Sequence, residues 1–163
     1  MGALRQLIDQ LGEHVYLGSH DDSDPRPRSE WTKMGVCLYE FPKTAAVARV
    51  AQGLGNPEIM GAPNALRCGS NKKNVSAVEL INTGLCSARA SDYHYPALRL
   101  AALQLAATQG LAAAWRSVSV GPANLLGLAD REDLSFGKRA DLVILEADNW
   151  QLAGTVVLVV RLS

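Results

Sequence analysis

The stretch VCLYEFPKTAAVARVAQGLGNPEIMG, residues 36–61, decides the fold. It opens on a short β-branched and aromatic run, Val36–Phe41, which reads as a strand. Pro42 then opens an Ala- and Val-rich segment, where Pro suits the first turn of a helix and Gly53 or Gly55 its end. Glu58–Gly61 is a second short apolar run. Strand, helix and strand in this order make a β–α–β unit, the signature of parallel pairing.

The same order recurs on either side. Residues 2–13 place Leu4, Leu7, Ile8 and Leu11 on one helical face. His14–Ser19 reads as a strand that stops in His20-Asp21-Asp22-Ser23-Asp24-Pro25, and a loop rich in Pro and charge runs on to Trp31. After the third strand comes the loop APNALRCGSNKKN, residues 62–74. Ser76 and Glu79 then fit a capping box for a helix through Leu80 and Ile81. Cys86–Ser91 is the fourth strand. Pro96 opens a long Ala/Leu helix to about Gln109, with further helical stretches over Leu111–Val120 and Pro122–Leu128. The tail changes character: Ala140–Glu146 and Thr155–Leu162 are β-rich and joined by a polar turn at Asp148 and Asn149. The expected class is α/β with a parallel sheet. Right-handed crossovers then bring every strand C-terminus to one rim.

Composition narrows the function classes. The chain has 163 residues, with 16 basic and 16 acidic side chains and no net charge. Phosphate-backbone binding needs a basic surplus, so a nucleic-acid platform is not expected. No apolar run approaches the roughly 20 residues that cross a bilayer, and the N-terminus lacks a secretory pattern. The three cysteines, at 37, 68 and 86, form no C-x-x-C. They fit a reduced, cytoplasmic protein rather than a cysteine zinc site. Gly69-Ser70-Asn71 lacks the Walker pattern, and no Gly-rich dinucleotide fingerprint follows the first strand, which disfavours a Rossmann-type domain.

Four polar clusters sit at the strand ends. They are Ser19-His20-Asp21-Asp22, Glu40-Phe41-Pro42-Lys43-Thr44, Met60-Gly61-Ala62-Pro63-Asn64 and Ser91-Asp92-Tyr93-His94. This end of a parallel α/β sheet is where catalytic residues gather. His20 and Asp92 are metal-ligand types, and Asp92 equally suits a general base. Asp22 suits a carboxylate that orients His20. Glu40 is either a site carboxylate or the ion-pair partner of Lys43. Arg67, Lys72 and Lys73 form a basic loop fit for a phosphate-bearing ligand. Each cluster also reads as an ordinary solvated loop, and residue type alone leaves both readings open.

Taken jointly, GSHDD (18–22), YEFPKT (39–44), MGAPNALRCGSNKKNVSAVEL (60–80), ASDYHYP (90–96) and GKRADLVIL (137–145) resemble the C-terminal part of the phosphonate-metabolism branch of the amidohydrolase superfamily. The resemblance implies the C-terminal half of a (β/α)8 barrel over residues 1–136, and strands of a small composite β-domain over 137–163. It implies one or two divalent metals, zinc, manganese or iron, at the C-terminal rim. His20 would be the ligand on the sixth barrel strand. Asp92, after the eighth, would bind metal and take the proton of the attacking water. Asn64, Arg67, Lys72, Lys73 and Asn74 would line the substrate. The implied reaction is hydrolysis of a ribosyl phosphonate's triphosphate arm, releasing diphosphate. Asn71 stands where the family loop has a histidine, and Lys72 and Lys73 add positive charge that favours a small anionic substrate. A full barrel takes about 250 residues, so the chain is expected to need an N-terminal half or to self-associate. The alternative is a non-catalytic remnant or interaction module.

Overall fold

The structure, a computed structural model, describes residues 2–11, 15–67, 80–81 and 83–157. Four strands, β1 (Leu17–His20), β2 (Val36–Glu40), β3 (Glu58–Gly61) and β4 (Ala88–Ala90), form one parallel sheet in sequence order. The register aligns His20 with Glu40, Glu40 with Ile59, and Ile59 with Ala88. The helices are α1 (Gly2–Leu11), α2 (Arg28–Lys33), α3 (Ala45–Gly53), α4 (Ala62–Leu66), α5 (Ala97–Gln109), α6 (Leu111–Arg116) and α7 (Val120–Leu125). Two further strands, β5 (Leu142–Leu145) and β6 (Leu152–Val156), make a separate antiparallel pair. Leu80 and Ile81 are helical, while the Ser76–Glu79 capping box lies outside the described residues.

Two helices occupy segments expected to be loops. Pro27 sits at the N-cap of α2, and Pro63 lies in the first turn of α4. Proline is preorganised for that turn, because its missing N–H has no partner there anyway. Pro42, by contrast, stays outside α3. Thr44 is the N-cap, its Oγ1 accepting from Val47 N at 3.3 Å. The last strand begins earlier than expected, at Leu152, and runs to Val156; residues 158–162 of the expected strand lie outside the described residues.

The helices cover one face of the sheet. Met60 packs with Ala62, Ala65, Leu80 and Leu85 against Ala97, Ala101 and Leu105. Tyr39 packs on Val47 and Ala51 of α3. Small alanines let the helix backbones come close, and burial of this apolar area drives the packing. Strand alternation puts His20, Leu38, Glu40 and Ile59 on the opposite face, where each keeps some solvent exposure.

The outer edge of β4 is capped: Arg89 N donates to Ser117 O at 2.8 Å. A Cβ on Gly121 would lie 2.2 Å from Ser87 O, so only glycine lets α7 approach so closely. Strands β1 and β4 do not pair with each other, and the sheet is open. No described helix is long and apolar enough to cross a membrane.

Candidate functional site

The rim forms where the strands end. Asp21 N donates to Glu40 O at 3.1 Å, and Phe41 N to Ile59 O at 3.0 Å. Three residues just past strand ends, Asp21, Phe41 and Asp92, hold φ values of 61°, 52° and 53°. Non-glycine residues adopt this left-handed region at a cost, and such positions cluster at functional sites. The turn folds the Phe41 ring back against His20, with centroids 4.8 Å apart. The same ring lies over Gly61, where a Cβ would meet Phe41 Cε1 at 2.6 Å and Asn64 Nδ2 at 3.4 Å. His20, Phe41, Gly61 and Asn64 thereby form one continuous shelf across three strand ends.

His20 is exposed, and its Nδ1 lies 3.3 Å from Asp21 Oδ2. A carboxylate on one ring nitrogen orients an imidazole and leaves the other, Nε2, free for a ligand. Asp22 takes no part in this. It accepts from Ser19 Oγ at 2.7 Å and pairs with Arg28 at 3.4 Å. Lys43 reaches Asp21, at 4.0 Å, and not Glu40. The Glu40 carboxylate therefore has no ion-pair or hydrogen-bond partner among the described residues.

Arg28 is the residue that sequence reasoning missed. Its side chain is fully buried. It donates to Ser19 Oγ at 2.6 Å, Asn56 Oδ1 at 2.9 Å and Val36 O at 2.5 Å. Its guanidinium also lies 5.3 Å from the Tyr39 ring centroid. These bonds tie the segment after β1 to β2 and to the end of α3. No spacing marks Arg28, which lies among prolines and charges that look like solvated loop.

On the far side of the rim, Arg67 Nη2 donates to Tyr93 Oη, and its guanidinium lies 5.7 Å from the Tyr93 ring centroid. This contact joins the end of α4 to the turn after β4. Lys72, Lys73 and Asn74 lie outside the described residues. Beneath the rim, on the helix-covered face, Glu58 and Arg89 are buried. Both Glu58 carboxylate oxygens, Arg89 Nε and Nη1, and Tyr39 Oη lack partners among the described residues. Burial pushes the Glu58 carboxyl up to about 8 and the Cys86 thiol up to about 11.

His20 and Asp92 are not brought together. His20 closes β1 and Asp92 follows β4, the two outermost strands of the sheet. Two strands separate them, where a sixth and an eighth barrel strand would leave one. Among the described residues no group of three or more His, Cys, Asp or Glu is placed to hold a metal ion.

No family model matches the chain. Over 134 residues it is 39% identical to the alpha-D-ribose 1-methylphosphonate 5-triphosphate diphosphatase of Escherichia coli strain K12. This chain is a relative of that diphosphatase. The match covers 80% of the chain and 35% of the enzyme, so the chain spans about a third of its relative's length. A crystal structure of an uncharacterized protein shares the fold, with a TM-score of 0.61 and 18% identity over 88% of this chain and 42% of that one.

Proposed function

We propose that this chain carries part of the substrate rim of a hydrolase that acts on a small phosphorylated or phosphonate anion and releases diphosphate. The observation that carries this reading is the 39% identity over 134 residues to an enzyme whose name states that chemistry. The parallel sheet supports it, because all four polar clusters follow strand C-termini. Arg67, held by Tyr93, and Asn64, beside Phe41, supply the anion-binding side. Lys72, Lys73 and Asn74 follow them in sequence and extend that role. In the hydrolytic step the water oxygen bonds to phosphorus, the bridging P–O bond breaks and diphosphate leaves. Asp92 takes the water proton. A divalent metal, zinc, manganese or iron, would polarise the phosphoryl oxygens when bound.

In the same reading, β1 to β4 are half of a (β/α)8 barrel, and β5 and β6 belong to a small β-domain. Further polypeptide, or a second copy of the chain, completes the barrel, and the protein works in the cytoplasm. A second reading, a binding module without turnover, draws support from the separation of His20 and Asp92 on the outermost strands.

Calorimetry with pyrophosphate, in chelator, tests the binding half. Pyrophosphate is expected to bind, and Arg67→Ala to weaken binding at least ten-fold, as loss of a charge-assisted contact predicts. Diphosphate release from alpha-D-ribose 1-methylphosphonate 5-triphosphate tests the catalytic half. Binding without release favours the module, and absence of binding overturns both readings.

A further inference from the structure

We infer that the phosphate-bearing ligand of this rim is a nucleoside di- or triphosphate, whose base stacks on Tyr95 while its phosphates meet Arg67. The inference rests on the anion-binding reading above for the phosphates, and on the turn after β4 for the base. That turn runs from Ser91 to Pro96 and holds two of the chain's four tyrosines, Tyr93 and Tyr95. It leaves the C-terminus of a strand, the side on which ligands of parallel α/β sheets bind. The two rings are in different states. Tyr93 is engaged: its Oη accepts from Arg67 Nη2, and the guanidinium lies 5.7 Å from its ring centroid. Tyr95 stands 82% exposed.

A lone exposed tyrosine is ordinary; the setting of this one is not. Its backbone is fixed. His94 N donates to Ser91 O at 3.0 Å, Ala97 N to His94 O at 2.9 Å and Leu98 N to Tyr95 O at 3.3 Å. Pro96, the N-cap of α5, restricts the residue before it as well. A ring presented on a fixed backbone costs little further ordering when a ligand covers it. Only His94 separates Tyr95 from Tyr93, and two residues of chain span at most about 7 Å. The open ring and the Arg67 guanidinium therefore belong to one stretch of rim. A nucleotide sets its base and its phosphates on opposite sides of a ribose, so one such molecule can meet both. The guanidinium fork grips phosphate oxygens, and the face of a tyrosine ring accepts any base. A bare phosphate or a phosphosugar would use Arg67 and leave the Tyr95 ring wet. The neighbours Asp92 and His94 are polar and exposed, so the apolar surface of the turn amounts to two rings. That is the size of a base and far below a protein–protein interface.

The test is calorimetry of the full 163-residue chain in chelator with two pairs of ligands. Adenosine diphosphate is compared with pyrophosphate, and adenosine monophosphate with ribose 5-phosphate, a pair that differs only in the base. The base-bearing member of each pair should bind about ten-fold tighter or more, as one stacked base predicts. Tyr95→Ala should erase that advantage and leave pyrophosphate affinity within about two-fold of wild type, whereas Tyr95→Trp should keep it. In NMR of the wild-type chain, saturation of the tyrosine ring protons should pass to the adenine protons, and Tyr95→Ala should abolish the transfer. Equal affinities within each pair would overturn the inference and leave the anion reading intact, as would adenosine diphosphate binding unchanged in Tyr95→Ala. Loss of pyrophosphate together with adenosine diphosphate in Tyr95→Ala would make Tyr95 a structural residue and would overturn it too. If pyrophosphate fails to bind while adenosine diphosphate still binds through Tyr95, the anion reading fails and the base platform stands. Binding of none of the four ligands overturns both.

Discussion

Replacing Arg28 by alanine should destabilise the chain by about 3–5 kcal/mol, the range for breaking a buried, hydrogen-bonded charge. The figure can be built from the structure. Three charge-assisted bonds are lost, to Ser19, Asn56 and Val36, and hydrogen bonds to charged groups are worth about 1.5–3 kcal/mol each. Their sum overstates the cost, because two partners keep other bonds. Ser19 still donates to Asp22, and Asn56 still accepts from Thr32. The Val36 carbonyl is left without its side-chain donor in a buried setting. Asp22 loses its counter-charge but is a fifth exposed, so water replaces part of that interaction. Against a typical total of about 5–15 kcal/mol, the loss is large. Arg28→Lys keeps the charge but not the fork, and should cost roughly half as much. Urea unfolding followed by tryptophan fluorescence reads the change, with Trp31 reporting from α2 itself. Hydrogen exchange should also speed up at the amides of Asp21 and Lys43, which bond to Glu40 O and Asp22 O. A loss under about 1 kcal/mol with both amides unchanged would mean that Arg28 does not hold the turn.

Gly61→Ala should cost about 1–3 kcal/mol through overpacking against Phe41, and adding Phe41→Ala should recover part of it in a double-mutant cycle read by thermal melts. Glu58 makes stability fall as pH rises. Burial pushes its folded carboxyl up to about 8 from an ordinary value of 4.5. Its contribution is fully present below pH 4.5 and is lost as pH climbs towards 8, by up to about 1.4 kcal/mol per unit. Urea midpoints at pH 5.5 and 7.5 should show this slope in the wild type and a flatter one in Glu58→Gln. At pH 8, iodoacetamide should label exposed Cys37 well before Cys86, whose thiol burial holds at about 11. Peptide mass mapping reads the order, and equal rates would refute the burial of Cys86.

The parallel sheet was legible because its strands carry local signals. Glu58–Gly61 is bounded as expected, and the clusters after each strand sit at one rim. The errors follow from what pattern leaves out. Helices α2 and α4 hide behind Pro27 and Pro63, since proline punctuates both a loop and a first helical turn. Arg28 looks like a surface charge until Asn56 and Val36, distant in sequence, close around it. Nothing local marks Glu58 or Arg89 within their short strands, yet both are buried on the helix side.

The rim shows why register carries more than residue type. Read by type, histidine and aspartate form the sharper pair, and glutamate before a lysine looks like half of an ion pair. Parallel pairing makes spatial neighbours of residues twenty apart in the chain, with a fixed face for each, and it sets His20 beside Glu40. Lys43 lies within reach of Asp21 rather than Glu40, so the ion pair that chain order suggests does not form. His20 closes one outermost strand and Asp92 follows the other, so what the two do together depends on how the rim curves. Local pattern encodes strands and their ends, but the curvature of a sheet is set by what packs on and beside it, which lies far away in sequence.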